Sequence, residues 1–153
     1  MIDYQTGDLF SNLPEICIVA HIVNDRGGWG KGFSGAVTRN LGPQPEFQYR
    51  KWARAGWSHP VFELGRNLYV QGYGGIWTAN MLAQKGYSTS DYKAVQLSAL
   101  EECLKDLAKA AAHTPICMPL IGCGLGGHSW ISVGPLVEEH LSNNHVIVWS
   151  EAP

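Results

Sequence analysis

The chain is poor in charge. Charged side chains make up 16% of its 153 residues, against the ~25% usual for soluble domains. Neither sign dominates: 11 basic and 13 acidic residues leave a net charge of -2. That balance excludes a binder that neutralises many backbone phosphates at once, though not a pocket for a single nucleotide. No apolar run approaches the roughly 18 residues of a membrane span. Met1 to Phe10 has neither the basic nor the apolar region of a signal peptide, so no membrane association and no secretion are expected. Internal repeats, low-complexity tracts and linkers are lacking, and one domain over 1–153 is expected. Cysteine is scarce: Cys17, Cys103, Cys117 and Cys123 form no disulfide framework, so reduced thiols and a cytoplasmic location are expected; a monomer is expected as well. Tight metal-ligand pairs are also missing. His113, Cys117, Cys123 and His128 fall in one short segment, but Cys117 lies in an apolar run that reads as a buried strand. No metal and no cofactor are therefore expected.

What is abundant is glycine: 18 of 153 residues, against a usual ~7%. Twelve fall in three clusters, five at 27–35, three at 72–75 and four at 122–127. The first holds Gly30-Lys31-Gly32-Phe33-Ser34-Gly35, formally a dinucleotide fingerprint. It follows its strand only after several loop residues, and no acidic residue closes a second strand ~20 residues on, which speaks against a Rossmann fold. A flexible linker fits no better, because Trp29 sits in its middle.

The order of elements predicts α/β architecture. Met1 to Tyr4 reads as an edge strand, and Ile16 to Val23, interrupted by His21, as a central strand buried on both faces. Phe33 to Leu41 and Pro45 to Ala55 read as helices, the latter with proline in its first turn. Val61 to Leu64 and Asn67 to Gln71 predict a hairpin across Gly65-Arg66, and Ile76 to Gln84 a further strand. Ser88 with Asp91 resembles a capping box, opening a long helix to about Ala112 whose stripe is Leu97, Leu100, Leu104, Leu107 and Ala111. Pro115 to Ile121 reads as a strand, Ser132 to Leu141 as a helix and Val146 to Trp149 as a last strand. Two strand–glycine loop–helix units, at 24–33 and 117–132, suit a diphosphate gripped from both sides by backbone N–H groups and helix N-termini.

Five segments together resemble the macrodomain family: Gly7-Asp8-Leu9-Phe10; Ile18-Val19-Ala20-His21-Ile22-Val23-Asn24; Gly28-Trp29-Gly30-Lys31-Gly32-Phe33-Ser34; Asn80-Met81-Leu82-Ala83-Gln84; and Met118-Pro119-Leu120-Ile121-Gly122-Cys123-Gly124-Leu125-Gly126. Their wording is similar to the branch that includes terminal ADP-ribose protein glycohydrolases. The resemblance implies a three-layer α/β/α sandwich around a mixed, mostly parallel sheet, and binding of ADP-ribose. It implies Asp8 and Leu9 at adenine, Asn24 at ribose, and Gly30, Lys31, Gly32, Phe33 and Ser34 at the diphosphate. Gly122, Cys123, Gly124, Leu125 and Gly126 would wrap the phosphates and distal ribose. An ionised Asp8 is acceptor-only, as the adenine amino group requires. Trp149 reads either as an aromatic flanking adenine or as an interfacial core residue. Asn24 reads either as a ribose partner or as a loop cap.

The branch's catalytic lysine and aspartate fall here on Gln84 and Gly126. Lys85 is adjacent, but strand alternation sends it to the other face. The remaining catalytic candidates are His21 as acid or base, Asn24, and Asp25 as an orienter of water. Each has a plainer alternative: a buried histidine bonded to backbone, a loop cap, a solvated carboxylate. His128 is a further candidate. The expected activity is hydrolysis of ADP-ribose from a modified macromolecule, protein or DNA, at the distal ribose C1″. An ADP-ribose-1″-phosphate phosphatase and a non-catalytic ADP-ribose reader stay open.

Overall fold

The computed structural model describes residues 2–55 and 60–151. Its elements are β1 (Ile2–Thr6), β2 (Ile18–Asn24), α1 (Phe33–Leu41), α2 (Gln44–Ala55), β3 (Arg66–Gln71), β4 (Trp77–Gln84), α3 (Leu97–Ala111), β5 (Ile116–Met118), α4 (Trp130–His140) and β6 (Val146–Ser150). Six strands form one sheet in the order β1-β6-β5-β2-β4-β3. Every neighbouring pair is parallel except β3–β4, which gives the mixed, mostly parallel sheet that the sequence predicts.

Alternation along β2 divides the core. Ile18 and Ala20 pack with Leu100, Leu104 and Leu107 of α3 and Val133 and Val137 of α4. Val19 points to the opposite face with Val37 and Leu41 of α1, and Val23 packs there with Tyr49 and Trp52 of α2. Helices thus cover both faces, and a strand buried on both sides needs the near-continuous apolar run that β2 has. The α3 stripe is buried as its spacing predicts, with Leu100, Leu104 and Leu107 at 0% exposure.

Met1 of the expected first strand lies outside the described residues. Three expected elements differ for identifiable reasons. Val61 to Leu64 is no strand: Glu63 N–H bonds Val61 O and Arg66 N–H bonds Glu63 O, a local turn. The hairpin is β3–β4, closed by Gly72 N–H to Ile76 O at 2.8 Å, so the glycines at 72–75 serve a turn. The expected strand to Ile121 stops at Met118, because Pro119 has no N–H to donate and Ile121 N–H bonds back to Pro119 O. Helix α3 begins at Leu97, not near Ser88. The Ser88 hydroxyl instead accepts from Ala94 N–H at 2.9 Å, and Lys85 N–H bonds Ala94 O, so residues 85–94 double back as a loop before the helix starts.

Candidate functional site

The carboxyl ends of the parallel strands open into a cleft, as expected for open α/β sheets. Its two lobes, about 760 Å³ and about 310 Å³, share Phe33 and Pro119. Strand order sets position along it. The small lobe lies beyond β1 and β6, the glycine loops follow β5 and β2, and the far end lies at β2 and β4. Three inter-strand steps separate β6 from β4, roughly 14 Å.

The small lobe is walled by Asp8, Leu9, Phe10, Phe33 and Trp149, with Glu151 at its rim. Asp8 caps a short 3-10 turn over Leu9–Ser11. Its carboxylate accepts from Phe10 N–H at 3.3 Å and from the Ser11 hydroxyl at 2.6 Å, and it remains exposed with acceptor capacity to spare. The Leu9 side chain is a core residue at 4% exposure. Trp149 packs against the cluster of Leu9, Val19 and Val37, the interfacial core role, and also walls the lobe. Its buried indole N–H has no hydrogen-bond partner among the described residues.

The first glycine loop leaves β2 and enters α1. Asn24 organises it. Its Oδ1 accepts from Arg26 N–H at 2.9 Å and Gly28 N–H at 3.1 Å, its Nδ2 donates to Gly28 O at 3.0 Å, and the Tyr49 hydroxyl donates chiefly to its main-chain O at 2.5 Å. The loop-cap role therefore occupies Oδ1 and leaves one N–H of the amide. Ser34 is similarly committed, accepting from Gly30 N–H at 2.8 Å and donating to Lys31 O at 3.1 Å. Lys31 and Gly32 are exposed at the cleft. Phe33, the first residue of α1, stacks on Phe10 with centroids 5.3 Å apart and forms the waist between the lobes.

The second loop, Gly122 to Gly126, faces the first. A Cβ on Gly32 would lie 3.2 Å from Leu125 Cδ1, so the two loops meet there. Gly30 and Gly124 have positive φ (113° and 65°), and a Cβ on either would enter open space. Gly126 is different: its Cβ would meet Val95 Cγ2 at 2.7 Å, a packing constraint beneath the loop. Burial raises the Cys123 thiol above its ordinary value, so it is a protonated wall residue, not a nucleophile.

The catalytic candidates do not all reach the cleft. His21 does, but at 2% exposure, edge-on to Trp29 with centroids 5.2 Å apart. Asn80 Nδ2 donates to Pro45 O, which turns Asn80 Oδ1 toward His21 Nε2 at 2.5 Å. His21 must then be the neutral Nε2–H tautomer. Burial pushes its pKa down to about 4, against the smaller opposing effect of the Asn80 bond. Near neutral pH it is no imidazolium and its one N–H is held by Asn80, which disfavours the general-acid alternative and leaves the base. Asp25 is also corrected: it does not line the cleft. Its carboxylate accepts from Gly86 N–H at 2.8 Å and lies 3.6 Å from Arg26 Nε, tying two loops together because the β2–β4 register brings Gln84 beside Asn24. His128 bonds Val95 O at 2.7 Å and is structural. Gln84 lines the far end while Lys85 is exposed outside it, as alternation requires.

The sequence reading missed Tyr87, Ser88 and Val95 as lining residues. They lie in the loop that the capping-box pattern disguised as a helix start, and no local signal marks them. Among the described residues, Glu101, Glu139 and His140 are the side chains close enough together to share a metal ion. They join α3 to α4, with Glu101 3.0 Å from His140, and line neither lobe.

Comparison with known proteins follows this geometry. No family model matches the chain. A macrodomain protein from Streptomyces coelicolor is 34% identical, with TM-score 0.79 over 97% of this chain and 98% of that one. Thermosipho africanus DarTG, solved in complex with ADP-ribose, is 18% identical at TM-score 0.76 over 97% of this chain and 41% of that one, a likeness of fold. Chromodomain-helicase-DNA-binding protein 1-like from Danio rerio is 28% identical over 86% of this chain, which spans only 13% of that protein.

Proposed function

Because the chain belongs to the macrodomain family, we propose that it binds ADP-ribose along this cleft and hydrolyses the bond at the distal ribose C1″ of an ADP-ribosylated macromolecule. Adenine would sit in the small lobe, its amino group on Asp8 and its ring against Trp149. The diphosphate would lie between the glycine loops, and the distal ribose at the β2–β4 end. One observation carries this reading. Two strand–glycine loop–helix units stand at the carboxyl ends of β2 and β5, which are adjacent in the sheet. Gly28 and Gly32 of the first loop and Gly122 and Gly124 of the second line the cleft, which Gly30 does not, and a Cβ on Gly124 would enter open space.

Hydrolysis would proceed by direct attack of water on C1″. The C1″–acceptor bond breaks with its electron pair leaving to the acceptor, and the water's proton passes to solvent or to the departing group. Gln84 offers no nucleophile at the far end. The bound diphosphate and the N-terminal end of α1 would hold the attacking water and the developing charge. His21, neutral and weakly basic, would assist by accepting a hydrogen bond through Nδ1. A non-catalytic reader is the second reading, favoured by the chemistry of the lining. Its titratable side chains are His21, Lys31, Tyr87 and Cys123, none a carboxylate. The phosphatase reading loses its acid with His21 unprotonated.

Calorimetry with ADP-ribose tests the binding. A micromolar Kd is expected, about -7 to -8 kcal/mol, and absence of heat at millimolar ligand overturns the reading. Mass analysis after incubation with ADP-ribosylated protein, ADP-ribosylated DNA and ADP-ribose-1″-phosphate tests the chemistry. No turnover with tight binding decides for the reader.

A further inference from the structure

The far end of the cleft has a group that neither glycine loop supplies. Tyr87 lines it from the loop that doubles back between β4 and α3. That loop is held firmly. Gly86 N–H donates to the Asp25 carboxylate at 2.8 Å, the Tyr92 hydroxyl donates to Lys85 O at 2.7 Å, and Ala94 N–H donates to Ser88 Oγ at 2.9 Å. Tyr87 is therefore presented from a braced support although its ring is 55% exposed.

Its hydroxyl touches the first glycine loop. A Cβ built on Gly28 would collide with the Tyr87 hydroxyl oxygen, and the Asn24 Nδ2 lies 3.3 Å from that same point. Among the described residues the Tyr87 hydroxyl has no hydrogen-bond partner, while Asn24 Nδ2 spends one N–H on Gly28 O. A free phenol O–H and a free amide N–H thus converge at the β2–β4 end. Two donors side by side, past the diphosphate loops, suit neighbouring hydroxyls of a sugar.

We propose that Tyr87 is a specificity-determining residue for the terminal ribose: its hydroxyl bonds a hydroxyl of that sugar and separates ADP-ribose from ADP, which lacks it. Gly28 is glycine because any side chain there would displace the phenol. The assignment rests on the ADP-ribose reading.

Calorimetric affinities for ADP-ribose and for ADP, measured on wild type, Tyr87→Phe and Gly28→Ala, test it. Tyr87→Phe keeps the ring and removes one hydrogen bond, so ADP-ribose should bind roughly three- to tenfold more weakly while ADP stays within about twofold. Gly28→Ala, whose Cβ would displace the phenol, should also weaken ADP-ribose binding, while the selectivity is read from Tyr87→Phe. Unchanged ADP-ribose affinity in Tyr87→Phe, or equal losses for both ligands, overturns the assignment and leaves the proposed function standing. Wild-type protein that binds neither nucleotide overturns both.

Discussion

Acidification should destabilise this protein through one residue. His21 is buried at 2% exposure with its pKa pushed down to about 4, against about 6.5 in an unfolded chain. The unfolded state therefore binds more protons between these values, and stability falls as pH drops through that window. At pH 7 the linkage is about 0.2 kcal/mol. At pH 5 the unfolded imidazole is almost fully protonated and the folded one hardly at all, which costs about 2 kcal/mol. Below pH 4 the loss levels off at about 3 kcal/mol. Urea unfolding of wild type and His21→Leu at pH 7, 6 and 5 isolates the effect, because other titrating groups cancel in the difference. His21→Leu also leaves Asn80 Oδ1 unpaired, but that penalty does not depend on pH and enters as an offset. The wild-type curve should lose about 2 kcal/mol more than the variant between pH 7 and pH 5. Parallel pH profiles would refute the argument and return His21 to the pool of general acids.

Asp8→Ala should weaken ADP-ribose binding by about 1.5–3 kcal/mol, the worth of a charge-assisted hydrogen bond, and lower stability by about 0.5–2 kcal/mol through loss of its cap to Phe10 N–H; calorimetry and urea melts read the two separately. Gly124→Val should abolish binding, since its side chain would enter the cleft; the positive φ adds about 1–3 kcal/mol of strain, lowering the melting midpoint by several degrees. Gly126→Ala should act in reverse order, destabilising through the 2.7 Å approach to Val95 by about 1–3 kcal/mol and affecting ligand affinity only through loop displacement. Borohydride treatment of wild type with substrate should trap no adduct by mass spectrometry, whereas an adduct at Lys85 would restore a lysine route.

The fold was legible where burial dictates pattern. Ile16 to Val23 announces a strand covered on both faces, true from Ile18 onward although Ile16 is exposed, and the leucines of α3 announce one buried stripe. It was illegible where a loop borrows the vocabulary of a helix. Ser88 and Asp91 satisfy the spacing of a capping box, yet Ser88 bonds Ala94 N–H because Lys85 pairs back with Ala94 across the loop. That pairing is non-local, and a window of a few residues cannot contain it. The same blindness hid Tyr87, whose contact with Gly28 crosses from β4's loop to β2's. Asp25 failed for a related reason: it stands next to Asn24 in sequence, but the parallel neighbour β4 takes its carboxylate for Gly86 N–H.

Hydrogen-bond commitments show what kind of recognition the cleft can perform. Asn24 Oδ1 already accepts from two loop N–H groups, and its main-chain O from the Tyr49 hydroxyl. Ser34 Oγ is occupied in both directions by the loop. Asp25 and His128 are bound to backbone, and His21 Nε2 is held by Asn80. The polar side chains near the glycine loops are thus spent mainly on fixing backbone, which would leave backbone N–H groups and the α1 terminus to face the phosphates of the proposed ligand. Such a surface costs little to reorganise on binding, because the loops are braced before ligand arrives. It also carries few groups able to move a proton. Under the proposed function such a site would grip a diphosphate through its backbone, and hydrolysis would draw on water and on the substrate's own phosphates. Discrimination must come from the ends of the cleft, where Asp8 and Tyr87 keep unspent hydrogen-bonding capacity.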